Sequence, residues 1–132
     1  MCRETKIEYR VPYADTDQMG VVYYANYLTY FERVRNEFLR EIGYSYLNFE
    51  KAGYMLPVME ARCFYKAPAK YDDILTIHAW RPKIKNARIQ LSCKVMRDEK
   101  LLAEGYTVHA CIDIKTRKPK KIPEDLQKRI LL

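Results

Sequence analysis

The residues best suited to chemistry stand together near the start of the chain, in YADTDQMGVVYYANYLTYFE, Tyr13 to Glu32. Asp15 and Asp17 lie two residues apart. Gly20 follows, and an apolar run then opens into a helical pattern. A carboxylate just before a helix has two uses. It can cap the helix, taking up a free backbone N–H at the positive end of the dipole. It can also react, by attacking a carbonyl carbon or by drawing a proton from a water that attacks. Spacing alone leaves both uses open for both aspartates. No metal site is expected. Cys2, Cys63, Cys93 and Cys111 form no CxxC pair, and His78 and His109 are the only histidines. Both histidines fall in strand-like stretches and read as structural.

A carboxylate does chemistry only if a fold holds it, so the rest of the chain has to supply one. Its 132 residues make a single domain, 1–132, and 48% hydrophobic content supplies a core without disulfide staples. Cys63, Cys93 and Cys111 sit in apolar runs, where a free cysteine behaves as a small hydrophobe. The polar start, MCRETKIEYR, carries no signal peptide, and no apolar run approaches the roughly 20 residues that span a bilayer. A cytoplasmic protein with no membrane span is expected. The net charge of +7 favours anionic partners, and KTRKPKK, Lys115 to Lys121, reads as a solvated basic turn. No nucleic-acid-binding motif accompanies the charge, so nucleic acid is not an expected partner. Twelve tyrosines suit interfaces and mixed pockets, because each buries a ring and keeps a hydroxyl.

Periodicity supplies the elements. Lys6 to Val11 reads as a strand. Tyr27, Phe31, Val34, Phe38 and Ile42 step by three or four and make one apolar helix face about four turns long. Glu32, Arg33, Arg35, Asn36, Glu37, Arg40 and Glu41 fill its other positions, and Gly43 stops it. A short helix is expected over Ser45 to Ala52. The period then falls to two. The expected inward faces are Met59/Ala61/Cys63/Tyr65, Leu75/Ile77/Ala79, Ile89/Leu91/Cys93/Val95 and Tyr106/Val108/Ala110/Ile112. Asp72-Asp73, Lys85-Asn86 and Asp98-Glu99 mark turns, and Pro123 opens a last short helix. Successive strands with short turns imply an antiparallel sheet, and the long helix has only that sheet to bury its stripe against. The expected architecture is α+β, a curved antiparallel sheet wrapped around one central helix. A lone sheet layer leaves an edge and an outer face bare, which dimerisation would cover.

TDQMGVVYYANYLTYFERVRNEFLREIG resembles the signature of the 4-hydroxybenzoyl-CoA thioesterase family of hotdog-fold proteins, closest to the small bacterial acyl-CoA thioesterases that include the Tol–Pal-associated members. YKAPAKYDD (65–73), LLAEGYTVHACID (101–113) and PEDL (123–126) resemble its later strands and closing helix. The resemblance implies a hotdog fold, a homodimer or homotetramer with active sites at the dimer interface, no cofactor, and an acyl-CoA substrate. It makes Asp17 the catalytic carboxylate and the backbone N–H of Tyr24 the oxyanion donor, with Asp15 in support. Many members of this branch carry histidine where this chain has Tyr24. Tyr23 and Tyr27 are candidates for the acyl pocket. Lys83, Lys85, Asn86 and Arg88, with Arg62 behind them, are candidates for the phosphates of CoA. An acyl-carrier-protein thioesterase and a non-catalytic acyl-CoA- or protein-binding module remain alternatives.

Overall fold

The computed structural model describes residues 3–131, so Cys2 lies outside the described residues. The strands are β1 (Thr5–Arg10), β2 (Tyr54–Met55), β3 (Val58–Tyr65), β4 (Ile74–Lys85), β5 (Arg88–Arg97), β6 (Lys100–Ala110) and β7 (Ile112–Asp113). The helices are α1 (Asn26–Glu41), α2 (Tyr46–Lys51) and α3 (Glu124–Leu131). Five strands form one antiparallel sheet in the order β1-β4-β5-β6-β3, and β2 pairs with β7. The helical stripe behaves as its period requires: Tyr27, Phe31, Val34, Phe38 and Ile42 are all buried, joined by Tyr30 and Leu39. They pack on Leu75, Ile77 and Ala79 of β4 and on Leu91, Cys93 and Val95 of β5. Ser45 caps α2 through a bond from the Asn48 N–H. Asn86 and Asp98 turn the two hairpins with positive φ, a conformation that short polar residues tolerate. This is the α+β hotdog architecture.

Three expectations are corrected. First, β3 does not lie beside β4. It pairs with β6 and closes the far edge of the sheet, and Lys66 to Asp73 carry the chain back across to β4. Its residues are exposed throughout except half-buried Cys63, so β3 is not a half-covered strand. Second, the inward face of β6 carries Thr107 and His109, not Tyr106 and Val108. Register is the reason: Thr107 pairs with Leu91 and His109 with Ile89, so these polar side chains share the core face of β5. They are tolerated because they satisfy one another. His109 Nδ1 donates to the Leu56 carbonyl at 3.1 Å, and Nε2 takes the Thr107 hydroxyl at 2.9 Å. Third, Arg35 does not sit with the solvated residues of α1 but turns inward and is half-buried.

Gly105 explains how β3 lies so close to β6. A Cβ at this position would collide with the Arg62 carbonyl oxygen across the pair.

Candidate active site

The segment between β1 and α1 is folded back on itself by its own backbone. Asp17 N–H donates to the Val21 carbonyl at 2.9 Å and Gly20 N–H to the Asp17 carbonyl at 3.0 Å. Gly20 holds φ at +80°, which a residue with a side chain adopts only under strain. The returning chain from β3 locks this loop, through Val22 N–H to Ala69 O at 2.8 Å.

The two aspartates divide here. Asp15 Oδ2 accepts the hydroxyls of Tyr9 on β1 and Tyr30 on α1, both at 2.7 Å. Its backbone carbonyl takes the Tyr23 N–H and the Asn26 side-chain amide, each at 2.9 Å. Asp15 therefore ties the first strand to the start of the helix. Burial, and then the bond to Asp15, push the Tyr9 pKa up to about 12 and raise that of Tyr30 further. Asp17 makes one bond, from the Met19 N–H to Oδ1 at 2.9 Å, and its Oδ2 has no partner among the described residues. Neither aspartate caps α1: its N-cap is Ala25, with no side-chain bond.

Asp17 lines an open cleft of about 360 Å³ with Met19, Tyr24, Tyr27, Tyr65 and Pro68 among its other walls. The carbonyls of Tyr23 and Tyr24 accept from Asn26 and Tyr27, turning the chain into α1. The Tyr24 N–H, one residue before the N-cap Ala25, finds no acceptor among the described residues. Tyr65 Oη donates to the Tyr24 carbonyl at 2.9 Å and holds this turn against the end of β3. The rings of Tyr27 and Tyr65 meet edge to face at 5.2 Å and floor the cleft. Burial raises the pKa of both, Tyr65 to about 12, so both are neutral phenols.

Of the residues proposed from sequence, Asp17, Tyr24 and Tyr27 come together in this cleft. Tyr23 is exposed and stacks on Tyr24 at 4.7 Å without lining the cleft. Arg62 is exposed on β3, paired in register with Tyr106 on the outer sheet face, and lies 3.8 Å from Glu60. Lys83, Lys85, Asn86 and Arg88 lie at the β4–β5 turn. The cleft is near the other end of β4, roughly 35 Å away along that strand. Within one chain, therefore, the candidate CoA contacts do not surround Asp17. They do meet the basic turn of residues 115–121: Cys111 N–H donates to Ala87 O, and Ile122 N–H to Asn86 O. Lys83, Lys85, Arg88, Lys115, Arg117, Lys118 and Lys121 thus share one exposed end of the molecule. Sequence reasoning missed Tyr65 and Pro68 as cleft residues. YKAPAKYDD was noticed only as a likeness, and nothing local said that its chain crosses behind Asp17.

Residues 11–130 match the Thioesterase-like superfamily, and the chain belongs to it. It is 33% identical over 119 residues to the acyl-CoA thioesterase YbgC of Haemophilus influenzae, covering 89% of this chain and 88% of that one. It is 32% identical over 120 residues to the acyl-CoA thioester hydrolase YbgC of Escherichia coli O6:H1, again covering 89% and 88%. The crystal structure of the 1,4-dihydroxy-2-naphthoyl-CoA thioesterase of Synechocystis matches with a TM-score of 0.88 at 29% identity, over 97% of this chain and 96% of that one.

Proposed function

We propose that this protein is a thioester hydrolase that cleaves acyl-CoA to the free acid and CoA at the Asp17 cleft. The observation that carries the reading is that Asp17, with a carboxylate oxygen without a partner, and Tyr24, with an N–H without an acceptor, both line one cleft beside the start of a helix. A thioester carbonyl needs both. Asp17 attacks the carbonyl carbon or draws a proton from the attacking water. The Tyr24 N–H takes the developing oxyanion, a donor worth about 3 kcal/mol in the transition state. If Asp17 attacks, CoA leaves as the thiolate, and water opens the resulting anhydride to acid and free carboxylate. If it acts as base, water supplies the oxygen directly. Within the superfamily, the Asp17–x–x–Gly20 signature supports placement with the small bacterial acyl-CoA thioesterases of the 4-hydroxybenzoyl-CoA type.

The working unit in this reading is a homodimer, paired through β3, with tetramers built from such dimers. An exposed edge carrying Val58 (51% exposed), Met59 (58%), Phe64 (46%) and Tyr65 (49%) invites a second copy. Antiparallel two-fold pairing along the strand sets Val58 beside Tyr65 of the partner subunit. The basic end of one protomer then lies on the same side as its partner's cleft, which is where CoA phosphates would need Lys83, Lys85 and Arg88. A cytoplasmic location accords with a CoA substrate and with the unpaired thiols of Cys63, Cys93 and Cys111. The same basic end favours one second reading, an acyl group carried by an acidic carrier protein.

The test is loss of thioester absorbance across an acyl-CoA panel, with wild type and Asp17→Asn. Turnover by wild type that falls at least ~100-fold in Asp17→Asn is expected. Equal rates would remove Asp17 from the mechanism. No turnover of any CoA substrate leaves the carrier-protein substrate and the non-catalytic binding module, which acyl-carrier substrates then separate.

A further inference from the structure

Two arginines are drawn inward from the surface. Arg35 lines a cavity of about 320 Å³ between the middle of α1 and residues Leu56 to Val58, and it forms no ion pair among the described residues. Arg97, the last residue of β5, is the opposite case, committed to the chain that crosses from β3 to β4. Its Nη1 donates to Asp73 Oδ2 at 2.7 Å and to the Pro68 carbonyl at 3.3 Å. The same Asp73 oxygen takes the Lys70 N–H at 2.9 Å, and the Asp73 N–H returns to the Lys70 carbonyl at 3.1 Å. Residues 70–73 therefore form a tight turn whose carboxylate is fixed to a guanidinium. Water reaches little of the pair, with 28% of the Arg97 side chain and 23% of the Asp73 side chain exposed. Burial alone would raise the Asp73 pKa, but the Lys70 N–H and the Arg97 guanidinium outweigh it and hold the carboxyl below its ordinary value. The pair is charged on both sides at neutral pH.

This turn grips both ends of the Asp17 loop. Val11, where the chain leaves β1, donates its N–H to the Asp73 carbonyl at 2.9 Å and accepts the Asp72 N–H at 2.8 Å. Val22, where the chain approaches α1, donates to the Ala69 carbonyl at 2.8 Å, and Val21 bridges to Lys70. Asp15 ties the first half of the loop to α1. Asp17 bonds only to Met19, Gly20 and Val21 of its own loop among the described residues, so its place depends on the hold that Ala69 has on Val22. The same crossing supplies Lys66, Ala67 and Pro68 to the cleft wall. We propose that Arg97 is a positioning residue for hydrolysis: by holding the crossing at Asp73 and Pro68, it sets where the Asp17 carboxylate stands relative to the Tyr24 N–H. This inference rests on the acyl-CoA reading above. A misplacement of about 1 Å that starts far from the chemistry can cost about 100-fold in rate. Arg97 itself touches no substrate, so the loss falls on kcat and not on KM.

The experiment measures kcat and KM of Arg97→Ala on the acyl-CoA that wild type turns over fastest, with and without millimolar guanidinium chloride. The expected kcat is at least about tenfold below wild type, with KM within about twofold, and guanidinium raises that kcat at least about threefold by filling the space the side chain left. The last readout separates positioning from plain support of the fold, because guanidinium weakens folding and would lower the activity of a merely destabilised enzyme further. If Arg97→Ala does not fold, Asp73→Asn must show the same split between kcat and KM. That substitution keeps the shape and an oxygen for the Lys70 N–H and removes the charge that holds Arg97. An unchanged kcat, a loss carried by KM, or an Arg97→Ala activity that guanidinium fails to raise overturns the proposal and leaves the hydrolase in place. Absence of wild-type turnover, or turnover that survives Asp17→Asn, overturns the acyl-CoA reading at Asp17 and this inference with it.

Discussion

Asp15 and Asp17 should fail in opposite ways when removed. Asp15 Oδ2 holds two tyrosine hydroxyls at 2.7 Å, one on β1 and one on α1, and Tyr30 is only 1% exposed. A hydrogen bond to a charged group contributes about 1.5 to 3 kcal/mol, and a hydroxyl left unsatisfied in a buried setting costs about as much again as it gained. The two bonds share one oxygen and are not additive, and Tyr9 is only half-buried, so Asp15→Ala should cost about 3 kcal/mol. That is a large part of a typical 5 to 15 kcal/mol domain stability. Asp17 accepts one N–H at a partly exposed site, and water can replace it there. Asp17→Ala should therefore cost about 0.5 kcal/mol or less. The assay is urea unfolding at fixed protomer concentration, since the stability of any protein that self-associates depends on it. Tyr9→Phe and Tyr30→Phe complete the cycles. Each should destabilise wild type by about 1 kcal/mol, yet be neutral or stabilising once Asp15 is alanine, because the orphaned hydroxyl is then gone. An Asp15→Ala loss under about 1 kcal/mol, or Phe substitutions that cost the same in both backgrounds, would refute the clamp.

Three further outcomes follow from groups outside the cleft. His109 is held neutral down to about pH 4, whereas an unfolded chain protonates it near 6.5. Its contribution is therefore complete above pH 6.5 and drains away as pH falls towards 4, by about 3 kcal/mol; His109→Gln should flatten this acid limb of a thermal-unfolding series. Tyr9 and Tyr30 work at the other extreme. Their folded pKa values lie above the ordinary 10, so stability is intact below pH 10 and declines as pH rises past it, with tyrosinate absorbance appearing only on unfolding for these two rings. Gly105→Ala should cost about 2 kcal/mol by driving a methyl group into the Arg62 carbonyl, and should weaken dimer association measured by sedimentation, because β3 must move; unchanged association would mean that β3 is not the dimer edge.

The elements were legible where burial and period agree. The α1 stripe from Tyr27 to Ile42 and the inward faces of β4 and β5 are apolar at each buried step, so local pattern and core face coincide. The turn residues were legible because Asn86 and Asp98 take positive φ at little cost. What failed is long-range. Strand order is not written in the strands, and β3, apolar in pattern, lies at an edge beside β6 because the return to β4 crosses the sheet. Thr107 and His109 read as an outer face because no local signal announces that two polar groups will satisfy one another inside a core. Arg35 read as a surface residue for the same reason. The signature picked out Asp17, but the partners of Asp15 lie on β1 and on α1, and only the fold brings those hydroxyls to one oxygen.

The two exceptions to the burial pattern lie on either side of one strand. At one end of β3 stands a cleft with a free carboxylate oxygen and a free N–H; at the other, a cavity with an unpaired cation. In one chain the two are unconnected, and water reaches the side chains of both, so neither costs much stability by itself. A two-fold along β3 is the one operation that brings unlike ends together, because antiparallel pairing sets the start of one strand beside the end of the other. A parallel pairing would set like beside like and leave both groups without partners. If the homodimer proposed above forms on β3, the exposed apolar edge, the Tyr24 cleft and the Arg35 cavity all come to lie at the boundary between the two copies, where one docking event would supply each with a partner.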